Sequence, residues 1–208
     1  MPMFTDSATF PTFNELPSAS SLAASSATPA AWFLLAQIKE DMTITKPTVI
    51  VRDRSGAEYA VTFDDGDHRG LGGINTKARF RKGHTLVVPR AARTDREGKK
   101  AVVRVPEGEG AAVRVLPGSL EQVSELGEVL AGIEETEPER MKRRRCGACG
   151  RGEGKSEGEG EGKRPLMQCM GCGAAAYCSK ECQARGWNEM GHKTNCKVIK
   201  AIKEIWPQ

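Results

Sequence analysis

The rhythm of apolar and polar positions changes several times along the chain. Residues 1–30 are rich in Ser, Ala, Thr and Pro and hold no sustained period. A segment of that kind buries too little apolar surface to offset chain entropy, so 1–30 are expected to be disordered. A cluster follows, Trp32, Phe33, Leu34, Leu35 and Ile38. It reads as one helical turn packed on the next domain, with a partner-docking segment as the alternative.

From residue 43 to 117 the pattern is that of short strands. Thr48–Arg52 is a β-branched run, Asp53-Arg54-Ser55-Gly56 is a turn signal, and Tyr59–Phe63 is a second run, which together predict a hairpin. Thr85–Val88 is a third strand, stopped by Pro89. Ala101–Val105 and Ala112–Leu116 flank Pro106-Glu107-Gly108-Glu109-Gly110 and predict a second hairpin. Strands at this spacing suggest a small antiparallel sheet or barrel. The Gly- and Asp-rich stretch Asp64–Gly73 reads as a loop.

Helical spacing then takes over. Ser119 and Gln122 form a capping-box pattern, and Leu120, Val123, Leu126, Leu130 and Ile133 follow on one face. That stripe reads as packing against the preceding sheet. Gly127 weakens the helix and Gly132 is a candidate end. These elements give domains at 1–30 (disordered), 31–133 (β-rich with a closing helix) and 134–145 (charged linker). Residues 151–164 contain only Gly, Glu, Lys, Ser and Arg, and read as a solvated low-complexity loop.

Composition adds that the chain is loop-rich: 23 Gly and 11 Pro in 208 residues, with 5% aromatics. The net charge of +4 does not by itself call for nucleic acid. The basic run Lys142-Arg143-Arg144-Arg145, with Arg151, Lys155, Lys163 and Arg164, is the one candidate for such binding. Glu153, Glu157, Glu159 and Glu161 in the same loop dilute its field, so nucleic acid is not the expected partner. The run reads equally as a nuclear-import signal or a solvated flank. No apolar stretch reaches the roughly 18–20 residues that a membrane span needs. No Lys or Arg precedes Lys39, so neither a secretory signal nor a transit peptide is expected.

The seven cysteines change the picture most. All lie at or beyond Cys146, and they pair as Cys146-x2-Cys149, Cys169-x2-Cys172, Cys178-x3-Cys182 and His192-x3-Cys196. An odd count without a signal peptide argues against a disulfide framework, and no βαβ pattern suggests a redox motif. Tetrahedral zinc takes four such ligands, and a closed set leaves no position for substrate. Eight ligands therefore imply two structural zinc ions. Gly147 and Gly171 sit inside the Cys-x2-Cys turns, and Gly150 and Gly173 ease the bend after each. Residues four apart share a helix face, so Cys178/Cys182 and His192/Cys196 can each chelate from one helical turn. One helix is expected from Ser179 to Trp187 and another from near His192 to Ile205. His68 and His84, far from any cysteine, read as surface or loop residues. Spacing alone leaves three ways to pair the four ligand pairs.

The string Tyr177-Cys178-Ser179-Lys180-Glu181-Cys182-Gln183, followed by Trp187, His192, Lys193 and Cys196, resembles the MYND zinc finger. That resemblance covers 146–196 and implies cross-bracing. Cys146, Cys149, Cys178 and Cys182 would hold one zinc, and Cys169, Cys172, His192 and Cys196 the other. It also implies a groove for short proline-containing peptides near Tyr177, Ser179, Gln183 and Trp187, where an indole stacks on proline and a glutamine reaches the peptide backbone. Two departures stand out: a long insert between Cys149 and Cys169, and a stretch from Trp187 to His192 longer than usual. The β-rich region also looks like the segment preceding the finger in some fungal members.

The expected fold class is thus α+β: a small antiparallel β domain with a C-terminal helix, a disordered N-terminus, and a C-terminal cross-braced two-zinc finger. Residues 197–208 extend the last helix. The expected function is a zinc-binding protein-interaction adaptor, nuclear and/or cytoplasmic, in transcriptional or regulatory complexes. The alternatives are a nucleic-acid-associated regulator using 142–145 and a remnant of the SET/MYND methyltransferases. No SET-like sequence or nucleophile–base pattern occurs in 43–133, so an enzyme is not expected.

Overall fold

The structure is a computed structural model that describes residues 3–24, 31–44, 46–64, 80–135, 145–152 and 165–206. The chain divides into two compact units, residues 2–125 and 126–208. The segment 65–73, most of the 134–145 linker, Lys142–Arg144, the loop 153–164 and His68 lie outside the described residues.

The N-terminal unit is built on a seven-stranded sheet: β1 (Phe33–Asp41), β2 (Thr48–Asp53), β3 (Glu58–Phe63), β4 (Thr85–Pro89), β5 (Arg93–Arg96), β6 (Lys99–Val105) and β7 (Arg114–Leu116). The spatial order is β5-β6-β3-β2-β1-β4-β7. The expected β2–β3 hairpin forms, closed by Gly56 at φ 83°. The second expected hairpin does not. β6 pairs with β5 and, in parallel, with β3, while β7 pairs with β4. The sheet is therefore mixed, not antiparallel. The turn 106–110 carries the chain from one part of the sheet to another.

Leu34, Ala36 and Ile38 of β1, Val49 and Val51 of β2, Tyr59, Val61 and Phe63 of β3, Leu86 and Val88 of β4, and Val103 and Val105 of β6 form one core. β4 and β6 are four strand positions apart, about 19 Å in a flat sheet at ~4.8 Å per step. Yet Val88, Ala91, Arg104, Val105 and Val113 line one small cavity. The sheet curls until these strands converge.

Two expectations fail here for one reason. Trp32–Ile38 is not a helical turn: Phe33 opens β1. Residues 3–24 are not disordered but an arm docked on the sheet. Phe4, Phe10, Phe13 and Leu16 are buried. Leu35 and its register partner Val87 are buried on the face opposite Leu34 and Ala36. The Phe10 ring lies 6.0 Å from Phe33 on that second face, and Phe13 stacks on Tyr59 at 4.1 Å. A strand covered on both faces shows no alternation, which is why its sequence did not read as a strand.

Polar groups fix the arm. The buried Asp53 carboxylate accepts from the Phe13 N–H at 2.7 Å and from the Ser55 and Ala57 N–H groups of its own turn. Arg54 donates to the Phe4 carbonyl at 3.0 Å, and Phe33 N–H to the Thr9 carbonyl at 2.8 Å. A 3-10 turn (Phe13–Glu15) and a short helix α1 (Ala19–Ala24) complete the arm. Helix α2 (Leu120–Glu135) begins at Ser119, whose hydroxyl accepts from the Gln122 N–H at 3.1 Å. Leu120, Val123 and Leu130 are buried and Leu126 is half-buried, while the side chain of Ile133 lies outside the described residues. Gly132 does not end this helix.

Candidate metal centre

In the second unit, each Cys-x2-Cys pair sits on the same backbone device. Gly150 N–H donates to the Cys146 carbonyl at 2.9 Å, and Gly173 N–H to the Cys169 carbonyl at 2.8 Å. Gly150 and Gly173 have φ of 72° and 65°, values a side chain resists. The two turns thus aim their N–H groups and sulfurs inward in the same way. β8 (Met167–Gln168) and β9 (Ala176–Tyr177) form a two-residue ladder that delivers Cys169 and Cys178 from its ends. Gly147 N–H donates to the Ala176 carbonyl, joining the first turn to β9.

Two helices supply the remaining donors. α3 (Lys180–Asn188) is capped by Ser179, whose hydroxyl accepts from the Cys182 N–H at 3.2 Å, so the cap also orients a ligand-bearing turn. α4 (His192–Ile205) starts on Gly191 at φ 73° and buries Val198, Ile199 and Ile202. Both helices match the expected spans.

The eight side chains fall into two groups: Cys146, Cys149, Cys178 and Cys182, and Cys169, Cys172, His192 and Cys196. Within each group the donor atoms lie within 4.8 Å of one another. The first ligand pair therefore meets the third, and the second meets the fourth. A tetrahedron with ~2.3 Å metal–sulfur bonds has sulfur–sulfur edges of about 3.8 Å, and an imidazole edge of about 3.6 Å. The observed edges are 3.5 Å for Cys149–Cys178, 3.6 Å for Cys178–Cys182 and 3.7 Å for Cys169–Cys196. Cys172 Sγ lies 3.8 Å from His192 Nε2. These are far from the ~2.05 Å of a disulfide, and all seven cysteines are free thiols. The donors fit a tetrahedral divalent cation. Packing supports the same spacing: a Cβ on Gly171 would lie 2.9 Å from Cys196 Sγ.

Protonation is uneven within each group. Burial pushes the Cys146 and Cys169 thiols up, but it is outweighed. The Ala148, Cys149 and Cys178 N–H groups bring Cys146 down to about 6. His192 and the Cys172 and Gly171 N–H groups do the same for Cys169, also to about 6. The Cys149 sulfur, with burial, pushes Cys178 up to about 12. Burial and the Cys169 sulfur push Cys196 up to about 12. A cation must displace the protons on the latter two, so metal affinity rises with pH.

The four expected peptide contacts separate. Tyr177 is buried: its ring lies 3.4 Å from the Cβ position of Gly147 and against Gly186. It is core, not groove surface. Ser179 serves as a helix cap. Gln183 is exposed, and Trp187 keeps 38% of its surface while its ring edge meets His192 at 5.7 Å. Of the basic residues, only Arg145 and Arg151 are described. His84 is half-buried and its pKa is lowered by burial and Arg81; neither donor group includes it. Two further residues position the ligand turns. Arg185 donates to the Ala148 carbonyl, tying α3 to the first turn, and Lys203 Nζ lies 3.5 Å from the Cys172 carbonyl. Lys203 follows Lys193, Lys197 and Lys200 along α4 and Arg185 shares α3 with Lys180, so nothing in the sequence singles out the two that reach the turns.

Residues 139–196 match the family model described as MYND finger, and the chain carries that finger. A MYND zinc finger is in general a protein–protein interaction module. Within the finger the chain is similar to histone-lysine N-methyltransferase SMYD3 of Homo sapiens, 44% identical over 45 residues. The aligned stretch covers 22% of this chain and 10% of that protein. No helix among the described residues is long and apolar enough to cross a membrane.

Proposed function

We propose that this protein is a zinc-dependent protein-interaction adaptor. Cys146, Cys149, Cys178 and Cys182 hold one zinc, Cys169, Cys172, His192 and Cys196 hold a second, and the interleaving cross-braces the finger. The interleaved donor groups at tetrahedral spacing carry this reading. Each zinc contributes on the order of 10 kcal/mol to folding, which a segment of this size needs because its own core is small. The metal's role is to build a rigid surface. All four positions on each ion are taken by protein, so no zinc-bound water is available for catalysis.

That surface includes Gln183 and Trp187 on α3. An indole left 38% exposed on a braced helix is a ready stacking platform for a short proline-containing peptide. The proposed setting is transcriptional or regulatory complexes, nuclear and/or cytoplasmic. The relative's printed methyltransferase activity is not proposed for this chain, because the likeness is confined to the finger. The test is binding of the full chain to an array of proline-containing peptides, wild type against Gln183→Ala/Trp187→Ala. Selective binding lost in the variant is expected. Unchanged binding would move recognition to the sheet domain, and turnover with a labelled methyl donor would overturn the adaptor reading.

A further inference from the structure

The two donor groups differ in their access to solvent. In the second, Cys169, Cys172, His192 and Cys196 are 5–8% exposed. The rings of Tyr177 and Trp187 stand edge-on to His192 at 6.0 and 5.7 Å, and Gly171 is pressed against Cys196. In the first, only Cys146 is buried; Cys178 and Cys182 are half-buried and Cys149 is exposed.

From this asymmetry we infer that Cys149 is a thiol-modification site, the point at which soft electrophiles and peroxides enter the finger. The first group then loses its metal while the second keeps its own. The inference rests on the two-zinc reading. Thiolate reactivity follows exposure, and a sulfur on the surface meets a reagent that four buried donors do not. Geometry also supplies the reaction partner, since Cys178 Sγ is 3.5 Å from Cys149 Sγ. With hydrogen peroxide as oxidant, the two thiolates give up two electrons and form one S–S bond. The peroxide O–O bond breaks to two hydroxide ions, and the metal leaves, having lost two of its four ligands. The sulfurs need only close from 3.5 Å to about 2.05 Å.

The fold survives this step in part. The first turn is otherwise held by the Gly147–Ala176 hydrogen bond, by Arg185 on the Ala148 carbonyl, and by packing of Cys146 and Ala148 with Tyr177. The second group independently joins the β8–β9 turn to the start of α4. Loss of the first metal therefore loosens residues 145–152 and leaves the hairpin braced to α4.

The test uses the full zinc-loaded chain. Limiting N-ethylmaleimide is added, with peptide mass spectrometry for the site and native mass spectrometry for the metal count. Cys149 should be labelled first, and the metal count should fall from two to one and pause there. Cys169, Cys172 and Cys196 should react at least about tenfold more slowly. With hydrogen peroxide, a Cys149–Cys178 linked peptide should accompany the loss of one metal. Joint loss of both metals, or equal labelling of the second group, overturns the inference alone. A chain with fewer than two metals before any reagent overturns the two-zinc reading and the inference with it.

Discussion

A single methyl group placed at Gly171 tests the geometry of the second donor group. The substitution Gly171→Ala puts a Cβ 2.9 Å from Cys196 Sγ and 3.6 Å from Cys169 Sγ. Ordinary contact begins near 3.4 Å, so the Cys196 sulfur or the turn must yield by at least about 0.5 Å. Zinc sites tolerate donor displacements of only about 0.2 Å. The displacement is therefore more than twice the tolerance, and it falls on Cys196, since Cys169 at 3.6 Å is in ordinary contact. Second-site ligand displacement should cost on the order of 10- to 100-fold in metal affinity, the range seen when a ligand's support is removed. The assay is competition with a zinc chelator, followed by native mass spectrometry. Gly171→Ala should give up one metal at chelator concentrations that leave the wild type fully loaded, while the first group holds its own. Gly152→Ala, whose Cβ would meet nothing within 4 Å, is the control and should match wild type. A Gly171→Ala chain with two metals and unchanged competition would refute the close approach of Cys196 to this turn.

Other predictions concern the sheet domain. Asp53→Ala removes the acceptor of the buried Phe13 N–H and of the Ser55–Ala57 turn; it should destabilise this unit by about 3 kcal/mol in urea unfolding. A loss below about 1 kcal/mol would mean the arm is held without it. Phe10→Ala empties a 2% exposed site beneath Phe4 and Phe33 and should cost about 3–5 kcal/mol. A near-neutral result would contradict the docked arm. Asp64 is partly desolvated, which raises its pKa, but Lys46 and Arg104 outweigh this and hold the carboxyl below its ordinary 3.8. Its folded pKa is depressed, so its contribution is present at neutral pH and lost as acid takes the pH down through that lowered value. Asp64→Asn should flatten the acid limb of the stability profile, and an unchanged limb would show that the triad contributes nothing.

The metal group was the most legible part of the chain because its code is local. Cys-x2-Cys turns need glycine after them, and Gly150 and Gly173 do take positive φ. His192 and Cys196 share the first turns of α4 as their spacing required, whereas Cys178 precedes the Ser179 cap and only Cys182 lies on α3. Long-range facts were not legible. Nothing near Phe10 announces that it covers Phe33, so neither the arm nor the strand beneath it is legible from local pattern. Equally, Val103 and Val115 carry no mark of which neighbour they pair with, and β6 and β7 joined different strands instead of each other. Tyr177 belongs to a recognisable string, yet only its packing on Gly147 and Gly186 shows it to be core.

Native mass spectrometry of the full chain, purified in the presence of zinc, measures the central claim most directly. Two zinc ions per chain are predicted, with one remaining in Cys149→Ser. Circular dichroism on chelation should show loss of α3 and α4 while the sheet persists. A chain that carries no zinc and keeps both helices would contradict the two-zinc finger outright.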